Sequence, residues 1–243
     1  MHVQSPLEDN LRAVRARIDR AAARAGRAPS DVALLPVTKA VPAAVARALC
    51  AAGCGDLGEN RADALEEKAA ALADLAPRWH FIGHLQRNKA RRVVRLADVI
   101  HAVDTQRLLL DLERLAAEED RRPALYLQVH ATGEPEKHGF APAELDAAVE
   151  HAARCPHVRL LGLMAMGPRE DPDGARTRAV FALVHELAAR HERAHPGAFE
   201  GGRCRLSMGM SGDLEDAVAA GATLVRVGSA LFAGVHGESE ARP

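Results

Sequence analysis

Lys39 carries the most distinctive chemistry in this chain. It closes the run Val32-Ala-Leu-Leu-Pro-Val-Thr38, an apolar stretch that reads as a buried strand. A lysine there is expected to aim its amine past the strand's carboxyl end. Burial disfavours the ammonium form and lowers a lysine's pKa. A neutral amine is a nucleophile that forms a Schiff base with an aldehyde. The residue therefore points to capture of a carbonyl compound.

Arg226 is the second unusual charge. In Leu224-Val-Arg-Val-Gly228 the valines share one face and Arg226 takes the other, which aims it at an interior. A buried guanidinium needs a partner. That partner is either a ligand acceptor or a carboxylate from another strand, with Glu59 and Asp104 the candidates. Two small, donor-rich segments lie nearby in sequence. Ser207-Met-Gly-Met-Ser211-Gly212 leads into a helical stretch, with Ser211 as a candidate N-cap, and Gly228-Ser229 follows the arginine. Free N–H groups at such places receive anions such as phosphate, with Gly209 and Gly212 allowing close approach. The plain alternative is that these residues only turn and cap the chain.

Other polar residues are weaker signals. Gly58-Glu59-Asn60 ends a second apolar run, and its polar side chains are expected at the same mouth as Lys39. Asn60 serves either a ligand or the start of the next helix. His80 and His84 flank a third run but lack a third metal ligand in sequence, so no metal site is expected. His191 and His195 are four apart on a helical stretch, within Arg- and Glu-rich sequence that reads as a solvated face. Gln86–Arg92 is basic and reads as a solvated helix start with some capacity to steer anions.

These residues need elements to position them. Ser5-Pro6-Leu7-Glu8 reads as a capping box, and Leu7, Leu11, Val14, Ile18 and Ala22 then recur at helical spacing. Strands are expected near 32–38, 55–58, 79–83, 98–103, 124–130, 158–165, 203–208 and 223–228. Each of the first seven is followed by a helix, the seventh at Leu214–Ala220. This alternation predicts a parallel sheet, and the strand count is the one that closes a (β/α)8 TIM-type barrel. The N-terminal helix is extra and fills the empty place in the outer ring. One domain over 1–243 is expected, with an open doubly wound sheet as the alternative. Pro36 must lie where a missing N–H is tolerated, near the strand end. In such a barrel the site lies at the carboxyl ends of the strands, with phosphate on the loops after the seventh and eighth.

Composition narrows the function. The chain has 243 residues, 48% of them hydrophobic, and a net charge of -1, so no global field draws it to nucleic acid or a membrane surface. One Trp, one Tyr and five Phe leave little surface for stacking bases. The cysteines (Cys50, Cys54, Cys155, Cys204) form no CxxC pair and read as reduced, mostly buried thiols. With no signal core and no membrane-length apolar run, the cytoplasm is the expected compartment.

Taken together and in order, several motifs resemble the pyridoxal phosphate homeostasis proteins, one-domain relatives of the alanine racemase barrel. The carriers are Val37-Thr-Lys39, Gly58-Glu-Asn60, Trp79-His-Phe-Ile-Gly-His-Leu-Gln-Arg-Asn-Lys89, Lys137-His-Gly139, Gly162-Leu-Met164, Ser207-Met-Gly-Met-Ser211 and Val225-Arg-Val-Gly-Ser229. The resemblance spans almost the whole chain and implies a fold-type-III-like barrel for pyridoxal 5′-phosphate (PLP). It implies a Schiff base on Lys39, phosphate contacts from Ser211, Gly228 and Ser229, Asn60 at the site, and Arg226 near the pyridine nitrogen. An arginine there would keep that nitrogen unprotonated and weaken the ring as an electron sink. Gly212 and Arg61 depart from the usual pattern, the second at the mouth of the site.

The resemblance also implies a protein that buffers or delivers PLP, transiently to apo-enzymes, without turning over a substrate. A PLP-dependent amino-acid racemase is the alternative. Racemisation needs a base on each face of the α-carbon. In the resembled racemases the second base is a tyrosine from a further domain of a partner subunit. The only tyrosine here, Tyr126, is expected at the far end of the fifth strand, and the sequence ends just past the eighth. A monomer is expected for the same reason. A Schiff-base aldolase using Lys39 without the cofactor is a third option.

Overall fold

The computed structural model describes residues 4–134 and 138–235. Helix α1 (Gln4–Arg24) precedes a regular alternation: β1 (Ala33–Pro36), α2 (Ala43–Ala51), β2 (Asp56–Glu59), α3 (Ala62–Ala71), β3 (Arg78–Phe81), α4 (Ala90–Leu96), β4 (Val99–Val103), α5 (Gln106–Glu118), β5 (Ala124–Gln128), α6 (Leu145–Ala153), β6 (Arg159–Met164), α7 (Ala175–Ala194), β7 (Arg205–Ser207), α8 (Leu214–Ala219) and β8 (Leu224–Val227). Every strand falls inside its expected window or within a residue or two of it. Helix α1 as described already includes Ser5, which the capping-box reading placed ahead of the first turn.

All strand pairs are parallel, in the order β1-β8-β7-β6-β5-β4-β3-β2. The ends of that series meet. Val37 and Gly58 form a parallel bridge, and Thr38 N–H donates to Gly58 O at 2.9 Å. The result is a nearly closed barrel, not an open doubly wound sheet. Strands β4 and β5 are buried along their whole length, as parallel strands covered on both faces must be. Most of the core lies between the strands and the helices. A smaller apolar cluster (Val99, Ala102, Ala124, Tyr126, Leu161, Met164) belongs to the barrel itself.

Pro36 is the last residue of β1. Ala33 N–H and Val37 N–H donate to the β8 side, and Thr38 N–H to β2. Alternation therefore turns the Pro36 nitrogen toward β2. The missing donor falls on the seam where β1 and β2 share little pairing, which reconciles a proline with a sheet that has no free edge.

Helix α1 buries Leu7, Leu11, Val14, Ile18 and Ala22, the stripe expected from the spacing. Its Arg17 pairs with Glu215 of α8 at 2.8 Å, and Arg15 reaches Cys54, just beyond α2, at 3.9 Å. The helix thus occupies the eighth place in the outer ring. The cysteines are free thiols, Cys54 and Cys204 buried and the others half-buried. Among the described residues no helix is long and apolar enough to cross a membrane.

Candidate functional site

The expected site residues share one sector of the barrel mouth. Lys39 follows β1, Asn60 follows β2, Ser211 follows β7, and Gly228 and Ser229 follow β8. These strands are consecutive around the barrel. Two contacts tie the loops together. Ala230 N–H donates to Ser211 Oγ at 3.3 Å, and a Cβ on Gly228 would lie 3.2 Å from Val37 O, so the loop after β8 runs close against the segment leading to Lys39.

Helix α1 holds both candidate phosphate loops from outside. Arg17 donates to Ser211 O at 3.1 Å while bound bidentately to Glu215. Asn10 donates to Leu231 O at 3.0 Å and Ala233 O at 2.8 Å. The sequence presents these two residues as ordinary polar positions on an amphipathic helix.

Several expectations about this sector are corrected. Lys39 is exposed, in a turn three residues past β1, so it lacks the desolvation assumed for a strand-end lysine. Among the described residues it has no hydrogen bond or ion pair. The buried lysine among the described residues is Lys68, in α3. Its Nζ donates to Thr38 O at 2.7 Å and Glu59 Oε1 at 2.5 Å, and Thr38 Oγ1 donates to the same carboxylate oxygen at 2.6 Å. Glu59 is therefore withdrawn into the β1–β2 seam instead of facing the mouth. The pair fixes the backbone immediately ahead of Lys39. Lys68 escaped sequence reasoning because Glu-Glu-Lys reads as a solvated helix face.

Asn60 is half-buried and does not cap α3; Arg61 holds that position. A Cβ on Gly83 would lie 2.1 Å from Asn60 O, so the loop after β3 passes directly against Asn60 and only glycine fits. Ser211 is likewise not an N-cap. Asp213 precedes α8, its carboxylate accepts from Met210 N–H at 2.5 Å, and the helix has only six residues. An anion there would depend on loop donors rather than on a helix end. Those donors exist. The N–H groups of Ser211, Gly212, Gly228 and Ser229 have no acceptor among the described residues, and Ser211 and Ser229 also carry hydroxyls. Neutral unpaired donors of this kind suit a phosphate. Gly212 has open space around its Cβ position, so packing does not demand a glycine there.

Arg226 enters the barrel as expected, but neither nominated carboxylate meets it. Its Nη1 donates to Ser207 O at 2.6 Å and Ser207 Oγ at 2.8 Å, and its Nη2 to Ala165 O at 3.0 Å. Burial lowers its pKa to about 10, which still leaves it cationic near neutrality. Its charge is answered at a distance, through a hydrogen-bonded chain across the barrel. Ser207 Oγ lies 2.8 Å from His101 Nδ1, His101 Nε2 lies 2.9 Å from His80 Nδ1, and His80 Nε2 lies 2.8 Å from Asp56 Oδ1.

Proton positions in this chain follow from its ends. The hydrogen bond from His80 holds the Asp56 pKa below the usual carboxylate value, so Asp56 is an anion and accepts only. Burial lowers the pKa of His80, and lowers that of His101 further, so both rings are neutral. His80 then carries its proton on Nε2, His101 on Nε2, and the Ser207 hydroxyl donates to His101 Nδ1. Every link donates in the same direction, from the Arg226 cation to the Asp56 anion. Such aligned chains reinforce one another. The sequence marked His80 only as a possible metal ligand and was silent on His101, because each sits on a different strand.

The basic segment is neutralised in place: Arg87 pairs with Asp111, Arg91 with Glu118 and Glu119, and Arg92 with Asp63 and Glu66. His191 is buried, not on a solvated face; its Nδ1 lies 3.2 Å from Asp146 Oδ1 without a hydrogen bond, while His195 Nε2 bonds that oxygen at 2.9 Å. Tyr126 sits inside the barrel in mid-strand, 4.6 Å from the His101 ring, with burial raising its pKa to about 12. Gly162 abuts β7: a Cβ there would lie 1.9 Å from Arg205 O. Lys137 lies outside the described residues.

The parallel barrel is a fold that solved alanine racemases share, and the family described as "Alanine racemase, N-terminal domain" matches residues 10–235. Within that class the nearer similarities are to smaller proteins. The pyridoxal phosphate homeostasis protein of Pseudomonas aeruginosa is 42% identical, covering 94% of this chain and 95% of its own. Its namesake from Escherichia coli is 36% identical, with 92% and 94% covered. The chain belongs to the pyridoxal phosphate homeostasis protein family. Among solved structures, PipY of Synechococcus elongatus without PLP superposes with a TM-score of 0.84 at 38% identity, covering 93% of this chain and 99% of that one. PipY with PLP bound gives 0.80 at 37% over the same shares. An alanine racemase from Streptomyces lavendulae shares the fold, with a TM-score of 0.73 at 19% identity, and the match covers 57% of its chain.

Proposed function

We propose that this protein binds PLP as a Schiff base on Lys39 and serves intracellular PLP homeostasis in the cytoplasm, buffering or delivering the cofactor without substrate turnover. The observation that carries this reading is similarity along nearly the full length to proteins named for PLP homeostasis, one relative having been solved with PLP bound. PLP supplies an aldehyde for the lysine amine, with loss of water, and a phosphate. In this reading Lys39 holds the aldehyde carbon, Ser211, Gly228 and Ser229 hold the phosphate, and Asn60 lines the mouth. Arg226, cationic and fixed by Ser207 and Ala165, faces the pyridine nitrogen. The exposure of Lys39 fits a carrier, since a cofactor that is delivered must be reachable. The racemase reading is weaker because Tyr126 is buried in the barrel and supplies no second base at the mouth.

Purified protein incubated with PLP should show a visible absorption band that borohydride abolishes, leaving the cofactor's mass on the peptide containing Lys39. A Lys39→Ala protein that keeps the band and the affinity would refute the assignment. Loaded protein mixed with an apo-enzyme should restore that enzyme's activity. Sustained racemisation of L-alanine would instead support the enzyme.

A further inference from the structure

We propose that His84, Asp104 and His138 form a binding site for a borderline divalent transition metal, with Zn2+ the leading candidate. The three come from the loops after β3, β4 and β5. They occupy a different sector of the mouth from Lys39, and the proposal is independent of PLP. One ligand atom from each lies within 4.8 Å of the others. His84 Nδ1 is 3.0 Å from Asp104 Oδ2, and the two imidazole rings stack with centroids 4.2 Å apart and planes 19° apart.

The separations, though not the ring orientations, approach a coordination sphere: stacked imidazoles cannot both aim an in-plane lone pair at one ion, so one ring must turn. Zinc–ligand distances of about 2.0–2.2 Å require ligands roughly 3.0–3.5 Å from one another. The His84–Asp104 edge already has that length. His138 needs to close by about 1–2 Å, within reach of a turning side chain, since both rings are exposed. A simple histidine–carboxylate hydrogen bond explains His84 and Asp104 but leaves His138 unexplained. The His138 ring has no hydrogen-bond partner among the described residues, yet the backbone delivers it to this spot.

That delivery is firm at each position. Asp104 directly follows β4 and is buried, with His84 as its hydrogen-bond partner. His138 O accepts from Gln128 Nε2 at 2.8 Å, and Phe140 pairs with Val129. Gly139 has φ +138°, and a Cβ there would lie 2.6 Å from His130 N, so the turn beside His138 requires glycine. Gly83, jammed against Asn60 O, fixes the approach to His84. Asp104 also lines a cleft of about 640 Å3 with Thr105, Leu110 and Phe140, and the exposed rings of His84 and His138 leave room for a fourth ligand from solvent. Two imidazoles and one carboxylate with an open position favour zinc, cobalt, nickel or copper over magnesium or calcium.

The second cluster, Asp146 with His191 and His195, behaves differently and provides the control. Arg190 Nη2 is 3.2 Å from His191 Nε2 and can only donate, so a neutral His191 carries its proton on Nδ1, facing Asp146, and has no lone pair there for a metal.

The test is titration of the metal-free full chain with Co2+, read by visible absorption, followed by displacement with Zn2+ and calorimetry. The expected result is a tetrahedral or five-coordinate Co2+ band saturating at about one ion per chain, displaced by Zn2+. His84→Gln and His138→Gln, both at exposed positions, should each weaken Zn2+ binding about tenfold or more, and His195→Gln should not. Circular dichroism of each variant checks that the fold is retained. Absence of a band in the wild type, or unchanged affinity in the His84 and His138 variants, overturns the site. Loss of binding in His195→Gln alone would place the metal at the other cluster and overturn it equally.

Discussion

At the scale of single residues, the barrel's polar chain gives Arg226 its setting. An isolated buried guanidinium would be costly, and here its field is carried to Asp56 through Ser207, His101 and His80. The assignment predicts neutral Nε2–H tautomers for both rings. Imidazole 15N spectra should show this at neutral pH, and a ring titrating near the free value of about 6.5 would contradict it. Stability follows with a definite sign. Both folded pKa values lie below the unfolded one, so the unfolded chain binds more protons once pH drops below about 6.5. Stability from these rings is present above that pH and is lost on acidification through the folded values. The urea midpoint should fall accordingly, and less steeply in a His80→Gln, His101→Gln double variant. Lys39, Arg226 and the loop serines were legible singly, because each breaks an apolar or helical pattern. The chain linking Arg226 to Asp56 was not, since its members come from β2, β3, β4, β7 and β8 and become neighbours only when the barrel forms.

At the scale of elements, the closure between β1 and β2 is the distinctive joint. Pro36 removes a donor from that seam, and side chains replace it: Lys68 binds Thr38 O and Glu59, and Thr38 binds Glu59. Both ends of the ion pair are buried, so removing one strands the other. Lys68→Met should cost about 3–5 kcal/mol by urea denaturation, and adding Glu59→Gln should restore much of the loss. An unchanged midpoint in Lys68→Met would show that the seam does not depend on the pair. Helix α1 has a second duty beyond covering the barrel, since Arg17 and Asn10 hold the loops after β7 and β8. Arg17→Met should weaken PLP binding while changing fold stability by no more than about 1 kcal/mol, because its ion pair with Glu215 is partly exposed. Equal PLP affinity in variant and wild type would confine α1 to packing. The apolar stripe of α1 was plain from its 3.6-residue period, but its grip on the loops was not, because Asn10 and Arg17 meet carbonyls some two hundred residues away in sequence.

At the scale of the whole molecule, alternation of strands and helices sufficed to foresee the barrel, because eight parallel strands with right-handed crossovers close on themselves. The division of the mouth was not foreseeable in the same way. Which loops share a sector depends on strand neighbours: β1 stands between β8 and β2, which places Lys39 beside the donor loops, and β3, β4 and β5 are consecutive, which places His84 beside Asp104 and His138. A ligand that spans such a sector binds only the folded chain and so must stabilise it globally. With free PLP at about a hundred times its dissociation constant, the folded state gains roughly 2.7 kcal/mol. For a domain of this size each kcal/mol moves the melting temperature by about 2–4 °C, so saturation should raise Tm by about 5–11 °C. Pyridoxal lacks the phosphate and should give a much smaller shift through Lys39 alone. Lys39→Ala should keep whatever part of the PLP shift the loop donors supply, so the two deficits divide the binding energy between aldehyde and phosphate. Equal shifts from PLP and pyridoxal would mean that Ser211, Gly228 and Ser229 hold no phosphate, and would leave the loops after β7 and β8 as turns held in place by α1.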